Sequence, residues 1–392
     1  MLQATKKTIR RLRDEMRLPA DAKRERERDR AGLPPSDPGI ARVIEEGVRW
    51  LARAQENSAS SDGGVARQFS LVKGWGTSYP ETTGYIVPTM IDYAEAHGAD
   101  WALASARRML DWLVAIQLAD GAFQGGRIDS KPVVPVTFNT GQILIGLAAG
   151  ARIDEAYRRP MERAADWLVE TLDDDGCWRH HPSPWAMPGE KVYETHVSWG
   201  LFEAARVARD KAYGEAGLAN VAWALSKTRD NGWPDLCCLT DPTRPLTHTL
   251  GYFLRGVLEA YRLSEQPELL EAARTTADGL MSALEDEGRL PGRLTADWRP
   301  AVDWVCLTGS VQVAHCWLLL YGFTGDERYR EAGFAANRFV RRTIRIEGED
   351  EVRGAVKGAF PVDGAYGTYQ YLNWAAKFCV DSNQLEEDIR AA

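Results

Sequence analysis

The sequence predicts an all-α protein, a closed double ring of six inner helices surrounded by six outer ones. Three observations predict it. Acidic-Gly or Asn-Gly turns recur at Asp62-Gly63, Asp120-Gly121, Asp175-Gly176, Asn231-Gly232 and Glu287-Gly288, steps of roughly 55 to 58 residues, slightly longer than most known repeats. Glycines near the start of apolar stretches, Gly84, Gly141, Gly200, Gly251 and Gly309, keep nearly the same step. Between the markers, an amphipathic helix alternates with a helix that is apolar nearly all round, the patterns of a water-facing and a fully packed helix.

The elements follow in order. Residues 1–39 are charged and end in Gly-Leu-Pro-Pro-Ser-Asp-Pro-Gly, a cluster of breakers that separates a basic N-terminal arm, partly disordered or helical, from a single ring domain over 40–392. Ile40, Val43, Ile44, Val48 and Leu51 have helical spacing and open the body. The stretch Gly74-Trp-Gly-Thr-Ser-Tyr-Pro-Glu-Thr-Thr-Gly84 then runs through Pro80 into an apolar helix, with Pro suited to a first helical turn. Outer helices are expected near 40–55, 101–118, 155–172, 211–227, 266–284 and 327–345, and inner helices near 83–96, 139–150, 195–208, 247–263, 305–321 and 371–382. A ring whose first unit packs on its last needs no capping repeat. Short turns between paired helices make all six inner helices point the same way, so their N-terminal loops share one end of the barrel.

Composition bounds the function. The 392 residues are 44% apolar and 27% charged, ordinary for a globular protein with a large core. The net charge of -8 argues against nucleic acid as a partner. Residues 1–31 carry eleven Lys/Arg against six Asp/Glu, a local +5 that leaves -13 on the rest. Such an arm suits peripheral contact with an anionic membrane or a synthase complex, or else is simply solvated. No run is apolar and long enough to span a membrane, and charges occupy the place of a signal peptide's apolar core, so a cytoplasmic protein is expected. The six cysteines show no CxxC pairing and read as reduced structural thiols.

The turn Gln117-Leu-Ala-Asp-Gly-Ala-Phe123, echoed in Asp174-Asp-Gly-Cys-Trp178 and Asp230-Asn-Gly-Trp233, is similar to the Gln-Asp-Gly-Trp repeat of terpenoid cyclases. The whole pattern over about 40–383 resembles the (α/α)6 toroids, which include those cyclases, prenyltransferase β-subunits, polysaccharide lyases, uronyl epimerases and unsaturated-uronide hydrolases. The stretch from Gly74 to Gly84 and the end Tyr371-Leu-Asn-Trp-Ala-Ala-Lys-Phe378 look like proteins of bacterial exopolysaccharide clusters. The resemblance implies the fold; chemistry has to be argued from the site.

Terpene cyclisation by protonation needs an Asp-x-Asp-Asp acid, and none occurs; Asp173-Asp-Asp175 lies on an outer turn. A zinc site has Asp303 and Cys306 available, but Asn373 stands where a His is needed and His315 lies two turns down its helix, so neither metal nor cofactor is expected. Carbohydrate chemistry fits better, with a saccharide or lipid-linked saccharide as ligand. Trp75, Tyr79, Tyr193, Trp199, Trp304 and Tyr369 offer aromatic platforms at helix-start loops, each equally able to be plain packing between helices.

Two mechanisms compete. Proton abstraction beside a uronate carboxylate, as in a lyase or epimerase, would use His196 as base, Tyr79 or Tyr252 as proton donor, and Asn139 with Arg255 to hold the carboxylate. Glycoside hydrolysis would use paired carboxylates from Glu81, Glu194 and Asp303. The blander role for Glu81 and Glu194 is complementing a helix dipole, and His248 either joins the acid–base set or only caps its helix. Asn373 adds a hydrogen-bonding group at the sixth helix start. A third class, a glycan-binding or scaffolding toroid, needs the aromatic platforms but no acid and base within one sugar ring.

Overall fold

The repeated turns reverse the chain by a shared device. Asp62, Asp120, Asp175 and Asn231 each accept, through the side-chain oxygen, the backbone N–H two residues on, at 3.1, 3.1, 3.2 and 3.2 Å. The glycine between holds φ of 102°, 101°, 87° and 79°, a left-handed backbone that other residues adopt only at a cost. The structure, a computed structural model, describes residues 18–392.

After a short helix α1 (Ala20–Arg30), outer helices α2 (Ile40–Glu56), α4 (Asp100–Ile116), α6 (Arg158–Glu170), α8 (Lys211–Leu225), α10 (Pro267–Ser282) and α12 (Glu327–Arg342) alternate with inner helices. The inner set is α3 (Pro80–His97), α5 (Thr137–Ile153), α7 (Thr195–Ala208), α9 (Thr247–Ser264), α11 (Leu307–Thr324) and α13 (Asn373–Ala391). The last inner helix runs beyond the expected 382, because Glu386 is buried and ion-pairs with Arg341 at 2.8 Å, giving the extra turns a packed anchor.

Each inner helix packs on the next, and α13 returns to pack on α3 and α2, so the fold is a closed (α/α)6 toroid. The seam is also stitched by backbone. Strand β1 (Gln68–Ser70) pairs antiparallel with β2 (Gly74–Trp75) and with a strand just before α13, Gln370–Leu372, in register Phe69↔Tyr371. Side chains join the same two ends: Asn373 Nδ2 donates to the Ala66 carbonyl at 3.0 Å and to Thr82 Oγ1 at 2.7 Å, and Thr89 donates to Asp381 at 2.7 Å.

The helix-start glycines have a packing reason. A Cβ on Gly84 would sit 2.4 Å from the Ile143 Cα, and one on Gly200 would sit 2.4 Å from the Gly141 carbonyl oxygen. Neighbouring inner helices therefore touch backbone to backbone near the cavity end. Outer helices are tied to one another by repeated pairs, in which Tyr157, Tyr213 and Tyr329 donate to Asp111, Asp166 and Asp278 of the preceding outer helix at 2.8, 2.6 and 2.7 Å.

The described part of the arm lies on the body. Glu25 and Asp29 of α1 bracket the buried Lys357 ammonium at 2.9 and 2.5 Å, and Asp29 also accepts the Val362 N–H at 2.7 Å. Residues 1–17, which hold most of the expected arm's remaining charge, lie outside the described residues. Among the described residues no helix is long and apolar enough to cross a membrane.

Candidate functional site

A cavity of about 480 Å3 opens at the end of the barrel where the inner helices begin. Its lining comes from the starts of α3, α5, α9 and α13, from Tyr193 just before α7, and from the loops that lead into these helices. N–H groups left free by the first turns converge there, giving the basin a positive polarity.

Glu81 lies on its wall. It is the second residue of α3, it accepts a hydrogen bond from Asn139 Nδ2 at 3.1 Å, and the Tyr79 hydroxyl donates to it as well. Burial lifts its carboxyl from the ordinary carboxylate range to about 7, and the Tyr79 bond and the Arg67 charge only partly oppose that rise. Arg67 lies 4.9 Å over the Trp374 ring and 5.8 Å over Tyr79, and it donates to Gln68 and Gln370 at 3.1 and 3.2 Å.

His248 lines the cavity from α9. Its Nδ1 is 2.5 Å from Gln312 Oε1 of α11, and as the donor there it leaves the Nε2 lone pair for chemistry. Burial depresses its pKa to about 4, so the ring is neutral at physiological pH. Because the inner helices follow one another around a ring of six, α3 and α9 are first and fourth and face each other. Glu81 and His248 therefore approach the cavity from opposite sides.

Tyr252 fills the floor. Its hydroxyl is 3.4 Å from that of Tyr85, and its ring lies 4.4 Å from His248 and 4.3 Å from His196. Burial raises both phenols well above their usual range, so they stay protonated.

Of the residues singled out from the sequence, Tyr79, Glu81, Asn139, Tyr193, His248 and Tyr252 are brought together around the cavity. The others are not. His196 is the second residue of its helix, as His248 is, yet it is 1% exposed and does not line the cavity. Tyr252 packs over it and Phe138 over Tyr252 at 5.3 Å, so the imidazole is sealed beneath the floor, with Nδ1 2.5 Å from Gln142 Oε1. Its burial holds its pKa well below normal.

Arg255 and Trp199 lie deeper in the barrel. The guanidinium pairs with Glu259 at 2.9 Å and sits 4.0 Å over the Trp199 ring, because a residue two turns into a helix faces the barrel interior rather than its mouth. Asp303 is exposed and stays on the rim, while Trp304 packs with Leu246, Cys306 and Ala359. Trp75 leans on Trp50 and Phe69 at 5.6 and 5.1 Å, held by its strand pairing. Tyr369 faces Arg26 of α1, and Asn373 is consumed in the seam. Glu194 borders a separate, smaller pocket. Among the described residues no group of three or more His, Cys, Asp or Glu could hold a metal ion.

Sequence reasoning missed Arg67, Tyr85, Arg127, Trp185, Tyr366 and Trp374, all on the cavity wall. Tyr85 and Trp374 sit inside helix-start stretches already marked by the repeat, so a stricter reading of those stretches would have found them. Arg67, Arg127, Trp185 and Tyr366 lie in loops without periodicity and carry no local signal.

No protein-family model and no curated protein sequence matches the chain. Solved structures do resemble it. An unsaturated glucuronyl hydrolase specific for heparin superposes with a TM-score of 0.72 at 15% identity, over 91% of this chain and 99% of that one. A D-mannose isomerase gives 0.72 at 13% identity, covering 91% and 100%. The cellobiose 2-epimerase of Bacillus thermoamylovorans B4167 gives 0.66 at 10% identity, covering 86% and 95%. At such identities the likeness establishes the toroid, not the reaction.

Proposed function

We propose that the protein is a carbohydrate-active enzyme that moves a proton at a carbon beside a sugar carboxylate or carbonyl, a lyase or epimerase with Glu81 and His248 as its acid–base pair. One observation carries the reading: two titratable groups face each other across a single cavity, and burial drives their pKa values to about 7 and about 4. Glu81 exchanges its proton near neutrality, while His248 stays an acceptor. The Nε2 of His248 takes the proton from one face of the carbon, and protonated Glu81 returns one to the other face, which inverts the centre. Loss of a leaving group from the adjacent carbon converts the same abstraction into elimination.

An acidic saccharide suits the wall. Arg67, whose hydrogen-bond acceptors are two neutral amides, takes the carboxylate-holding role that the sequence reading gave to Arg255. Tyr193, Tyr252 and Trp374 supply ring faces for stacking. That the similar structures include a glucuronyl hydrolase, an aldose isomerase and a disaccharide epimerase agrees with a saccharide ligand.

Glycoside hydrolysis is the second reading. It is favoured by Glu194, a buried carboxyl raised to about 8 in a pocket that shares Phe138 and Tyr193 with the main cavity. Proton transfer has the stronger support because, among the described residues, Glu81 alone brings a carboxylate to the main cavity wall. Contact of the arm with a membrane, a lipid-linked saccharide or a synthase complex rests on the charge of residues 1–31.

The test is incubation of uronate oligosaccharides in deuterated water, followed by NMR for carbon-bound deuterium and ultraviolet absorbance for a new conjugated double bond. Glu81→Gln and His248→Ala serve as controls. Turnover that survives both substitutions ends the assignment; release of sugars without deuterium uptake or a double bond transfers it to hydrolysis.

A further inference from the structure

Beside the main cavity lies a smaller pocket of about 210 Å3, bounded by Phe138, Trp178, Pro182, Met187, Tyr193 and Glu194. Its walls are largely apolar, and most polar groups at its edge are already engaged. The Lys191 ammonium donates to the Gly189 carbonyl at 2.7 Å, and the Arg179 guanidinium is held by Asp173, Asp175 and Glu190 at 2.7 to 2.9 Å. Glu194 is different. It is 7% exposed and its Oε2 has no hydrogen-bond partner. Although it immediately precedes α7, its side chain does not cap that helix. A buried, unpartnered carboxyl oxygen is costly unless a ligand completes it.

A whole sugar ring is a poor fit here, since it would bring several hydroxyls to walls offering one unused partner. A small group with one polar atom and one methyl fits better. We infer that this side pocket receives an acyl substituent, N-acetyl or O-acetyl, of a saccharide whose ring occupies the main cavity, the Glu194 carboxyl hydrogen-bonding to the acyl carbonyl oxygen. The inference rests on the saccharide reading above and adds a substituent to it. The acyl methyl packs against Met187 and Trp178. Burial lifts the Glu194 carboxyl to about 8, so at neutral pH it carries the proton that such a bond requires.

Isothermal titration of the full chain tests this with three probes: glucuronyl-N-acetylglucosamine, glucuronyl-glucose, and an O-acetylated glucuronyl-glucose. The wild type is expected to bind an acetylated probe at least tenfold more tightly than the plain disaccharide. Met187→Trp, at a half-exposed position where a larger ring fills the pocket without disturbing the core, is expected to bring that ratio within twofold. Glu194→Leu should do the same, and Glu194→Gln, which keeps a donor, should retain most of the preference. Equal binding of all three probes by the wild type overturns the acyl pocket and leaves the saccharide reading intact. A preference that survives Met187→Trp also overturns it. Failure of every probe to bind overturns both.

Discussion

Glu81 of α3 and Asn139 of α5 share a buried hydrogen bond, Nδ2 to Oε2, of 3.1 Å. A neutral amide at this position matters chemically. It steadies the carboxyl without competing for its proton, whereas burial, against the Tyr79 bond and the Arg67 charge, raises the pKa to about 7.

Glu81→Gln keeps the size and the hydrogen bond to Asn139 but removes the exchangeable proton. Turnover should fall by about 10²-fold or more, the usual weight of a positioned acid or base, with the fold unchanged by circular dichroism. In the wild type the pH–rate profile should bend near 7, where Glu81 titrates. A bend that persists unchanged in the variant assigns it to another group.

Asn139→Asp places a second carboxyl against the first. Like charges at hydrogen-bond distance resist joint ionisation, so the pair titrates as a unit and the Glu81 limb should move up by about one pH unit or more. A pH–rate profile of the variant reads this directly, and a downward shift would contradict it.

Stability should fall on both sides of a middle pH. Glu194 and Glu81 rise from 4.5 to about 8 and about 7 on folding. The native state then holds protons that the unfolded chain has lost, and stability declines as pH climbs from about 4.5 through 8. His248 moves the other way, from 6.5 to about 4, so its contribution is complete above 6.5 and fades as pH drops toward 4. Thermal melts of Glu194→Gln should show a flatter alkaline slope than the wild type. An equal slope would place the linkage elsewhere.

Glu25→Gln combined with Asp29→Asn keeps α1 in place but strips both carboxylates from Lys357, which is 2% exposed. Leaving that ammonium buried and unpaired should cost about 3–5 kcal/mol, measured by urea unfolding. Lys357→Met added to the doubly substituted chain should recover much of the loss. If it recovers none, the arm stabilises the body through other contacts.

The fold was legible because its cause is local and repeated. Asp120-Gly121 or Asp175-Gly176 closes the same turn wherever it occurs, and Gly84 or Gly200 permits the same close helix crossing, so period alone identifies the ring. The convergence of Tyr79, Glu81, Asn139 and His248 follows from that ring, since residues at equivalent helix starts share one mouth. The sequence could not separate His196 from His248. Both follow a Thr at the second position of an inner helix, yet the Tyr252 ring buries the first and leaves the second on the cavity wall. Nor could it bring Arg67 or Trp185 to the wall, or draw Asp303 away from it. By itself, then, the sequence determined the helices, their order and the closing of the ring, which depend on neighbours along the chain. Tertiary structure alone decided which side chains reach the cavity, because that depends on the rings and loops laid over each position by other repeats.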